Sequence, residues 1–356
     1  PAYLSYTPGS AGDRRQITVS YWQKRCDIGG QQVAFQSGSV YWQFGNSSVE
    51  KFQINTDGSG EMLSPRLFRD PNAWYHFVIS FDTEQDVPSN RIRVWVNGIP
   101  ITDWSTLTAP TKDTDLSITN TVAQVWGVYG TSTYPMDGYL SQVCMIDGLA
   151  LGPTSFGEFS NNVWRPIDIT GLTFGTTGYL LDFADSSALG NDVSGNDNDF
   201  STSGLDSGDQ TSDTPTNNHM NFASLARGGD ADHIATVSNG GLTTTKSTDK
   251  HAGPVTGTAI GGSGKWYCEG KVTNVTGAKI GICTTTSDWL WDTVENTLGY
   301  YSTAWSLAIS DGNKWNNNTS TSYGSAVSAD DVVQMAIDLD NSKIWWGVNG
   351  TFIASG

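Results

Sequence analysis

The sequence predicts an all-β protein made of two antiparallel, jelly-roll-like β-sandwich domains joined by an irregular polar connector. Its 356 residues include 40 glycines and abundant Ser, Thr, Asn and Asp, which favour turns between short strands. No window has the Ala-, Leu-, Glu- and Lys-rich periodicity of a long helix. Two strand–Asn-Gly–strand units, at 334–352 and 90–100, indicate hairpins because Asn and Gly accept positive φ.

The first predicted domain covers residues 1–155. Short segments of alternating polar and apolar residues recur through it, with turn-forming residues between them. These segments are 17–22, 40–44, 74–81, 91–96, 124–128 and 138–146. Strands at this density are typical of a β-sandwich.

Residues 156–225 break this pattern. One strand is predicted at 178–183, and the stretch 185–218 has few apolar side chains. Because Gly, Asp, Asn, Ser and Thr do not bury a hydrophobic core, we expect an interdomain connector held by its few apolar residues.

The second predicted sandwich covers residues 226–356. Strand patterns resume at 233–237, 241–245, 265–272, 279–283, 297–301 and 332–338, and lead into the hairpins of 334–352. The last Asn-Gly turn, at 349–350, lies close to residue 356, so we expect closing strands beyond it and a sandwich truncated at its C-terminal end.

The four cysteines are too few for a disulfide scaffold. Cys268 and Cys283 flank a predicted turn at 274–277, which would place them nearly opposite each other across a hairpin. A disulfide and two buried thiols are both compatible with this arrangement.

The charge balance excludes one class of partner. With 36 acidic and 19 basic residues, the net charge is −17, and such a surface repels a phosphate backbone. No apolar run reaches the length of a membrane span. We therefore expect neither nucleic-acid binding nor membrane insertion.

The second half resembles a known family. The segment Gly-Lys-Trp-Tyr-Cys-Glu at 264–269 is followed by Ile-Gly-Ile at 280–282, Leu-Gly-Tyr at 298–300 and the run 337–350 ending in Asn-Gly. In order and spacing these motifs resemble a SPRY domain over about 110 residues, with Cys268 in place of the usual aromatic residue. In SPRY domains, loops at one end form the partner surface.

The first half resembles the concanavalin A-like (laminin G-type) lectin/glucanase sandwich. The segments that carry the resemblance are 17–22, 74–77, 94–98 and 138–143. Lectin-like glucanases place their catalytic carboxylates in a Glu-x-Asp-x-x-Glu pattern on one strand, and this sequence has no such pattern.

The combination of the two halves is similar to virion proteins of tailed bacteriophages. The further segments that resemble these proteins are 3–15, 178–183, 187–190, 194–196 and 213–218. The resemblance implies a fibre or another virion appendage, assembled in the host cytoplasm and exposed on the particle surface. We expect a homo-oligomer, trimeric if the protein is a fibre.

The titratable residues predict no catalytic site. The glutamates stand alone, and the four histidines lack the spacing of a metal site or a catalytic triad. The residues considered are Glu61, Glu84, Glu158, Glu269, Glu295, His76, His219, His233 and His251. The sequence thus predicts a protein that is not an enzyme and requires no cofactor.

One loop is a candidate Ca²⁺ site. Asp192, Ser194, Asn196 and Asn198 alternate along the chain, as oxygen ligands do in a calcium loop. The loop lacks the bidentate Glu of an EF-hand. The alternative is a solvated loop of Asx turns.

Tryptophans in predicted loops or edges are the candidate ligand-binding residues. Of the fourteen tryptophans, Trp22, Trp95, Trp266 and Trp345 alternate within strands and are expected in the core. The candidate ligand-binding residues are Trp104, Asp288, Trp289, Trp291, Asp292, Trp305 and Trp315. Exposed aromatic faces suit glycans and partner proteins alike.

These observations predict a function in recognition. The expected protein is a non-enzymatic phage virion protein that binds a host-surface glycan, with repeated copies supplying avidity. One alternative is a capsid or tail decoration protein that contacts other virion subunits. A polysaccharide depolymerase is a further alternative, disfavoured by the missing pair of carboxylates.

Overall fold

A computed structural model describes residues 1–26, 30–46, 49–57, 60–219, 222, 236–238, 242–245, 262–284 and 298–353. The chain divides into two compact units, Pro1–His219 and Met220–Gly356. The described residues form strands and short 3₁₀ helices, at Pro88–Asn90, Pro153–Ser155 and Ser207–Asp209, without any α-helix. The all-β prediction is confirmed. Within these described ranges no helix is long and apolar enough to span a membrane.

Sixteen strands belong to the described residues of the first unit. They are β1 (Tyr3–Tyr6), β2 (Gln16–Arg25), β3 (Gln32–Ser37), β4 (Val40–Asn46), β5 (Val49–Thr56), β6 (Gly60–Leu67), β7 (Trp74–Asp82), β8 (Ile92–Val96), β9 (Ile99–Pro100), β10 (Thr106–Thr108), β11 (Gln124–Trp126), β12 (Gly138–Asp147), β13 (Gly157–Ser160), β14 (Val163–Pro166), β15 (Tyr179–Leu181) and β16 (Ser201–Ser203).

Two antiparallel sheets form the sandwich of the first unit. One has eight strands in the order β10-β6-β5-β4-β3-β11-β1-β16, and the other has six in the order β15-β12-β2-β7-β8-β9. Alternate residues of both sheets meet in a shared aromatic core. Within it, Tyr21 of the six-stranded sheet stacks on Phe77, and its ring centroid lies 6.1 Å from that of Trp42 in the other sheet.

A third layer covers the outer face of the six-stranded sheet. Strand β2 is buried on both faces, which an exposed sheet surface would not allow. Phe156 and Phe174 pack against outward-facing Val78, and Trp164 packs against Trp22. Residues after 150 therefore belong to the hydrophobic core of the first unit.

The first unit thus extends well past residue 155, where the sequence placed the start of a connector. Strand β15 joins the six-stranded sheet beside β12, and β16 joins the eight-stranded sheet beside β1. The physical reason is that a polar segment can dock on a domain through a few apolar side chains when each of them is buried in its core. Phe174 and Phe200 are buried in this way.

A buried ion pair fixes the end of this segment. The Lys24 Nζ atom donates to Asp213 Oδ2 at 2.7 Å, and neither side chain is exposed. Asp213 Oδ1 also accepts from the Trp74 indole at 2.8 Å. Burial lowers the pKa of Lys24, while the hydrogen bond to Asp213 counteracts that effect.

The second unit is a smaller sandwich. Its strands are β17 (Thr236–Ser238), β18 (Thr243–Thr245), β19 (Lys265–Lys271), β20 (Lys279–Cys283), β21 (Ala304–Ala308), β22 (Lys314–Asn316), β23 (Thr319–Thr321), β24 (Val332–Asp338), β25 (Lys343–Val348) and β26 (Thr351–Phe352). Four-stranded sheets β19-β24-β25-β26 and β20-β21-β22-β23 share a core that includes Leu307, Val333 and Trp346, and β17 pairs with β18.

The predicted hairpin between the two late cysteines is wrong. Cys268 lies on β19 and Cys283 on β20, and these strands belong to different sheets. The turn at 274–277 therefore connects one sheet to the other. Cys268 is a thiol, and its side chain packs against the core of the second unit.

Candidate functional site

The outer face of the eight-stranded sheet carries planar polar side chains aligned across four strands. Gln36 pairs with Tyr41, Tyr41 pairs with Asn55, and Asn55 pairs with Glu61. Their chain neighbours, such as Trp42, point into the sandwich core. Because side chains alternate along a strand, this row of four faces away from the core.

A chain of amide hydrogen bonds lies beside this row. Gln31 Nε2 donates to Gln43 Oε1 at 2.6 Å, and Gln43 Nε2 donates to Gln53 Oε1 at 3.0 Å. Gln53 Nε2 in turn donates to Glu61 Oε1 at 2.9 Å. Gln43 and Gln53 are buried, so these bonds hold the half-buried Glu61 carboxylate in place and leave its second oxygen available.

Tyrosines border the row on the side of the loop that follows β11. Tyr129 meets Tyr41 edge to face, with ring centroids 5.4 Å apart. Tyr129 and Tyr134 are both exposed. The loop is tied to the sheet because the Gly130 amide donates to Gln36 Oε1 at 2.6 Å. The result is an aromatic edge beside a polar floor.

The electrostatics of this face are simple. Burial raises the pKa of the Tyr41 phenol, and Tyr129, Glu61 and Tyr134 raise it further. Tyr41 is therefore a neutral hydroxyl donor at physiological pH. Together the side chains offer amide donors and acceptors, phenol hydroxyls, aromatic surface and one carboxylate. Such a set can hold a flat, hydroxyl-rich ligand.

Glu61 is the carboxylate of the row on this face. Glycosidases need two flanking carboxyl groups, one with a raised pKa to act as the acid. In the part of the chain that the structure describes, each carboxyl group with a displaced pKa has it lowered by hydrogen bonds. These groups are Asp86, Asp115, Asp168, Asp185, Asp331 and Asp338.

The Asp192 loop uses its oxygen atoms for protein hydrogen bonds. Asp192 Oδ1 accepts from the amides of Leu180 and Ser194 at 2.9 Å, and Oδ2 accepts from the Ser194 hydroxyl and the Asn198 amide. The Asn196 side chain donates to the carbonyls of Gly175 and Gly178. Tyr6 donates to Asn198 Oδ1.

This geometry matches the Asx-turn alternative. The loop connects β15 to β16, and the side chains of Asn196 and Asn198 donate to the Gly178 carbonyl just before β15. In the described ranges, this loop included, no group of three or more His, Cys, Asp and Glu side chains is placed to hold a metal ion. Binding of Ca²⁺ at Asp192 stays a prediction.

Among the described candidate tryptophans, Trp305 and Trp315 of the second unit do not share a face. Trp104 is half-buried against the core of the first unit. Trp305 pairs with Asn316 and Trp315 with Ser306, so the two tryptophans lie on opposite faces of their sheet. Trp315 lies under the Lys279 ammonium, 3.8 Å from its ring centroid. Asp288, Trp289, Trp291 and Asp292 lie outside the described residues.

The tryptophans expected in the core differ in burial. Trp22 is buried, and Trp95 packs as a partly buried side chain against the third layer. Trp266 is instead 41% exposed, and its indole donates to the Ser263 carbonyl at 3.0 Å. The expectation of a core position is therefore wrong for Trp266, and also for Trp345, which faces away from the core that contains its neighbour Trp346.

Sequence reasoning missed the row around Tyr41. The signal was present in β4, where Tyr41 and Gln43 alternate with core residues Trp42 and Phe44. The alternation assigns Tyr41 to the solvent side. It does not reveal which residues of β3, β5 and β6 lie beside it, because register depends on the turns between the strands.

Comparison with known proteins agrees with the two-unit architecture. Residues 2–151 match the concanavalin A-like lectin/glucanases superfamily, and residues 265–354 match the SPRY domain. No match was found among curated proteins.

The solved structures that match this chain have low sequence identity to it. A candidate carbohydrate binding protein from Bacteroides ovatus is 14% identical with a TM-score of 0.41, and the match covers 57% of this chain and 56% of that one. A heptameric SAP-like pentraxin from Limulus polyphemus is 15% identical with a TM-score of 0.32, and the match covers 42% of this chain and 71% of that one. Domains LG4-5 of the mouse laminin alpha1 chain are 9% identical with a TM-score of 0.33, and the match covers 99% of this chain and 74% of that one.

The two strand patterns seen in the sequence thus correspond to two different modules. One lies in the region that matches the concanavalin A-like lectin/glucanases superfamily, and the other lies in the region that matches the SPRY domain.

Proposed function

We propose that the protein binds carbohydrate, without catalysis, on the outer face of the eight-stranded sheet around Tyr41. The observation that carries the proposal is the aligned row of Gln36, Tyr41, Asn55 and Glu61. A sugar has apolar C–H patches and many hydroxyl groups. The row and its tyrosine edge supply aromatic surface for the first and planar hydrogen-bonding groups for the second.

The order of this face supports binding. Glu61 is held by Gln53, and Gln36 is held by the Gly130 amide, so neither side chain has to be immobilised when a ligand arrives. Side-chain ordering is one of the main costs of association. A face fixed in advance avoids part of that cost.

A gel experiment tests this site. The net charge of −17 carries the protein towards the anode in a native gel, so an embedded neutral polysaccharide retards only protein that binds it. Tyr41→Ala leaves the charge unchanged. We expect it to lower the affinity for the polysaccharide, as measured by the retardation, about tenfold. Phe159→Ala, which removes an exposed aromatic ring from β13, is the matched control and should be retarded like the parent. Equal retardation of both variants and the parent contradicts the site.

We further propose that this binding serves a tailed-phage virion. The support is the pairing of regions that match a laminin G-type domain and a SPRY domain, together with the resemblance of 3–15, 178–183, 187–190, 194–196 and 213–218 to phage virion proteins. The protein would be exposed on the particle as a homo-oligomeric fibre or appendage and bind a host-surface glycan. Several copies on one particle give avidity to sites that are weak alone.

Adsorption to host cells tests the virion role. Saturable binding of the assembled protein that a soluble host polysaccharide abolishes is the expected result. Absence of binding by a correctly assembled oligomer, together with capture of other virion subunits, favours a decoration protein instead. Release of reducing sugars from the polysaccharide contradicts a non-catalytic role.

A further inference from the structure

The second unit has an aromatic face of its own, on the outside of the sheet β19-β24-β25-β26. Tyr267 pairs with Ala336, and Ala336 pairs with Trp345, so these three side chains share one face. The alternate residues Met335 and Trp346 are buried in the core of the unit. The face therefore points away from that core.

A second row continues the same face. Gln334 pairs with Gly347, and Gly347 pairs with Phe352. Tyr267 is 57% exposed and Phe352 is 46% exposed. Between the three aromatic side chains lie the small residues Ala336 and Gly347, which leave a shallow floor. Exposed aromatic side chains grouped on one face indicate a binding surface.

One buried polar atom opens onto this floor. Gln334 is only 8% exposed, and its Oε1 atom has no hydrogen-bond partner among the residues that the structure describes. This oxygen lies over Gly347, 3.1 Å from the place a Cβ atom would take there. A buried acceptor without a donor is uncommon, because it costs free energy that a bound donor recovers.

Charged groups surround the aromatic side chains. The Tyr267 hydroxyl donates to Glu269 Oε2 at 2.7 Å. The Lys343 ammonium lies 5.8 Å from the Trp345 ring centroid. Lys265 and Asp338 form an ion pair at 3.7 Å on the same face. The ligand must therefore combine apolar surface with hydroxyl groups that reach Gln334 and the rim.

We propose that this face of the SPRY unit is a second saccharide-binding site, with Trp345 and Tyr267 as stacking platforms and Gln334 Oε1 as an acceptor for a sugar hydroxyl. The two aromatic residues are two strands apart, about 9–10 Å, so the site fits a chain of sugars better than a single one. An apolar protein segment fits less well, because it would leave the buried Gln334 oxygen without a donor. The proposal does not depend on the face around Tyr41.

Native gels with embedded polysaccharides test the site in the full chain. The background variant is Tyr41→Ala, which removes the first proposed site. In that background we expect residual retardation by the polysaccharide. Adding either Trp345→Ala or Tyr267→Ala should lower the affinity measured from this retardation about three- to tenfold. Tyr300→Ala removes an exposed tyrosine of the same unit away from this face and should leave retardation unchanged.

The outcomes separate the two sites. Retardation of the parent but none of the Tyr41→Ala protein overturns the second site and leaves the first intact. Equal retardation of Tyr267→Ala, Trp345→Ala and Tyr300→Ala proteins also overturns it. So does concentration-dependent self-association that Tyr267→Ala abolishes without any effect of polysaccharide, which identifies the face as a contact between copies. Tyr267 is exposed, so its variant is informative even where Trp345→Ala fails to fold.

Discussion

The Trp164 indole donates a hydrogen bond to His76, with 2.9 Å between Trp164 Nε1 and His76 Nδ1. His76 lies in strand β7 of the six-stranded sheet, and Trp164 lies in β14 of the third layer. Because Nδ1 accepts this bond, the ring proton is on Nε2, which donates to the Ser20 hydroxyl at 2.8 Å. The neutral imidazole thus joins the third layer to the sandwich.

This buried histidine makes the stability of the first unit depend on pH. Burial lowers the pKa of His76 to about 3 from the usual 6.5. Between these values the unfolded chain binds a proton that the folded chain does not. The contribution of His76 to the free energy of unfolding is therefore fully present above pH 6.5. It falls as pH decreases below that value, by about 1.4 kcal/mol per pH unit. Denaturant unfolding at pH 7, 6, 5 and 4 is expected to show a steeper decline for the parent than for His76→Gln. Parallel declines contradict this account.

Trp164 is expected to be a core residue of the first unit. It packs with Trp22 and Trp74, whereas Phe159 on the neighbouring strand is 54% exposed. Trp164→Ala should lower the free energy of unfolding by about 3–5 kcal/mol, and Phe159→Ala by less than about 1 kcal/mol. Denaturant unfolding measures both. A Trp164→Ala protein as stable as the parent would show that the segment is a connector after all.

The ion pair between Lys24 and Asp213 gives a further prediction. Asp213→Asn leaves a buried ammonium without its counter-charge, so we expect a loss of about 3–5 kcal/mol. Adding Lys24→Met removes that ammonium, while the amide introduced by Asp213→Asn keeps an acceptor oxygen for the Trp74 indole. The double variant should therefore recover much of the loss. If the changes in the free energy of unfolding of the two single variants simply add in the double variant, Lys24 and Asp213 are not coupled.

The Asp192 loop is expected to be stable without calcium. Asp192→Ala removes the acceptor of four donors and should cost about 1–3 kcal/mol. The thermal midpoint of the parent should be the same in CaCl₂ and in chelator. A midpoint raised by Ca²⁺ in the parent but not in Asp192→Ala supports the calcium site instead.

Local strand patterns were predictable from the sequence, whereas their partners were not. The alternation at 74–81 closely matches β7, which spans Trp74–Asp82. The alternation at 265–272 and 279–283 likewise corresponds to β19 and β20. Periodicity gives no information on which strands pair, however, and these two belong to different sheets.

The candidate sites show the same division. Tyr41 could be assigned to the solvent side of β4, but its alignment with Asn55 and Glu61 depends on the turns between β4, β5 and β6. The tryptophan count drew attention to Trp305 and Trp315, which sheet geometry separates onto opposite faces. The polar composition of 156–218 likewise gave no sign that Trp164 docks on the sandwich, because one buried indole outweighs many exposed polar neighbours.

A glycan array probed with the intact chain tests the central claim most directly. The account predicts a set of bound glycans that Tyr41→Ala loses and that Phe159→Ala and Tyr267→Ala retain, because only the first variant alters the face of the eight-stranded sheet. An array on which Tyr41→Ala keeps every glycan bound by the parent would contradict the claim that this face binds carbohydrate.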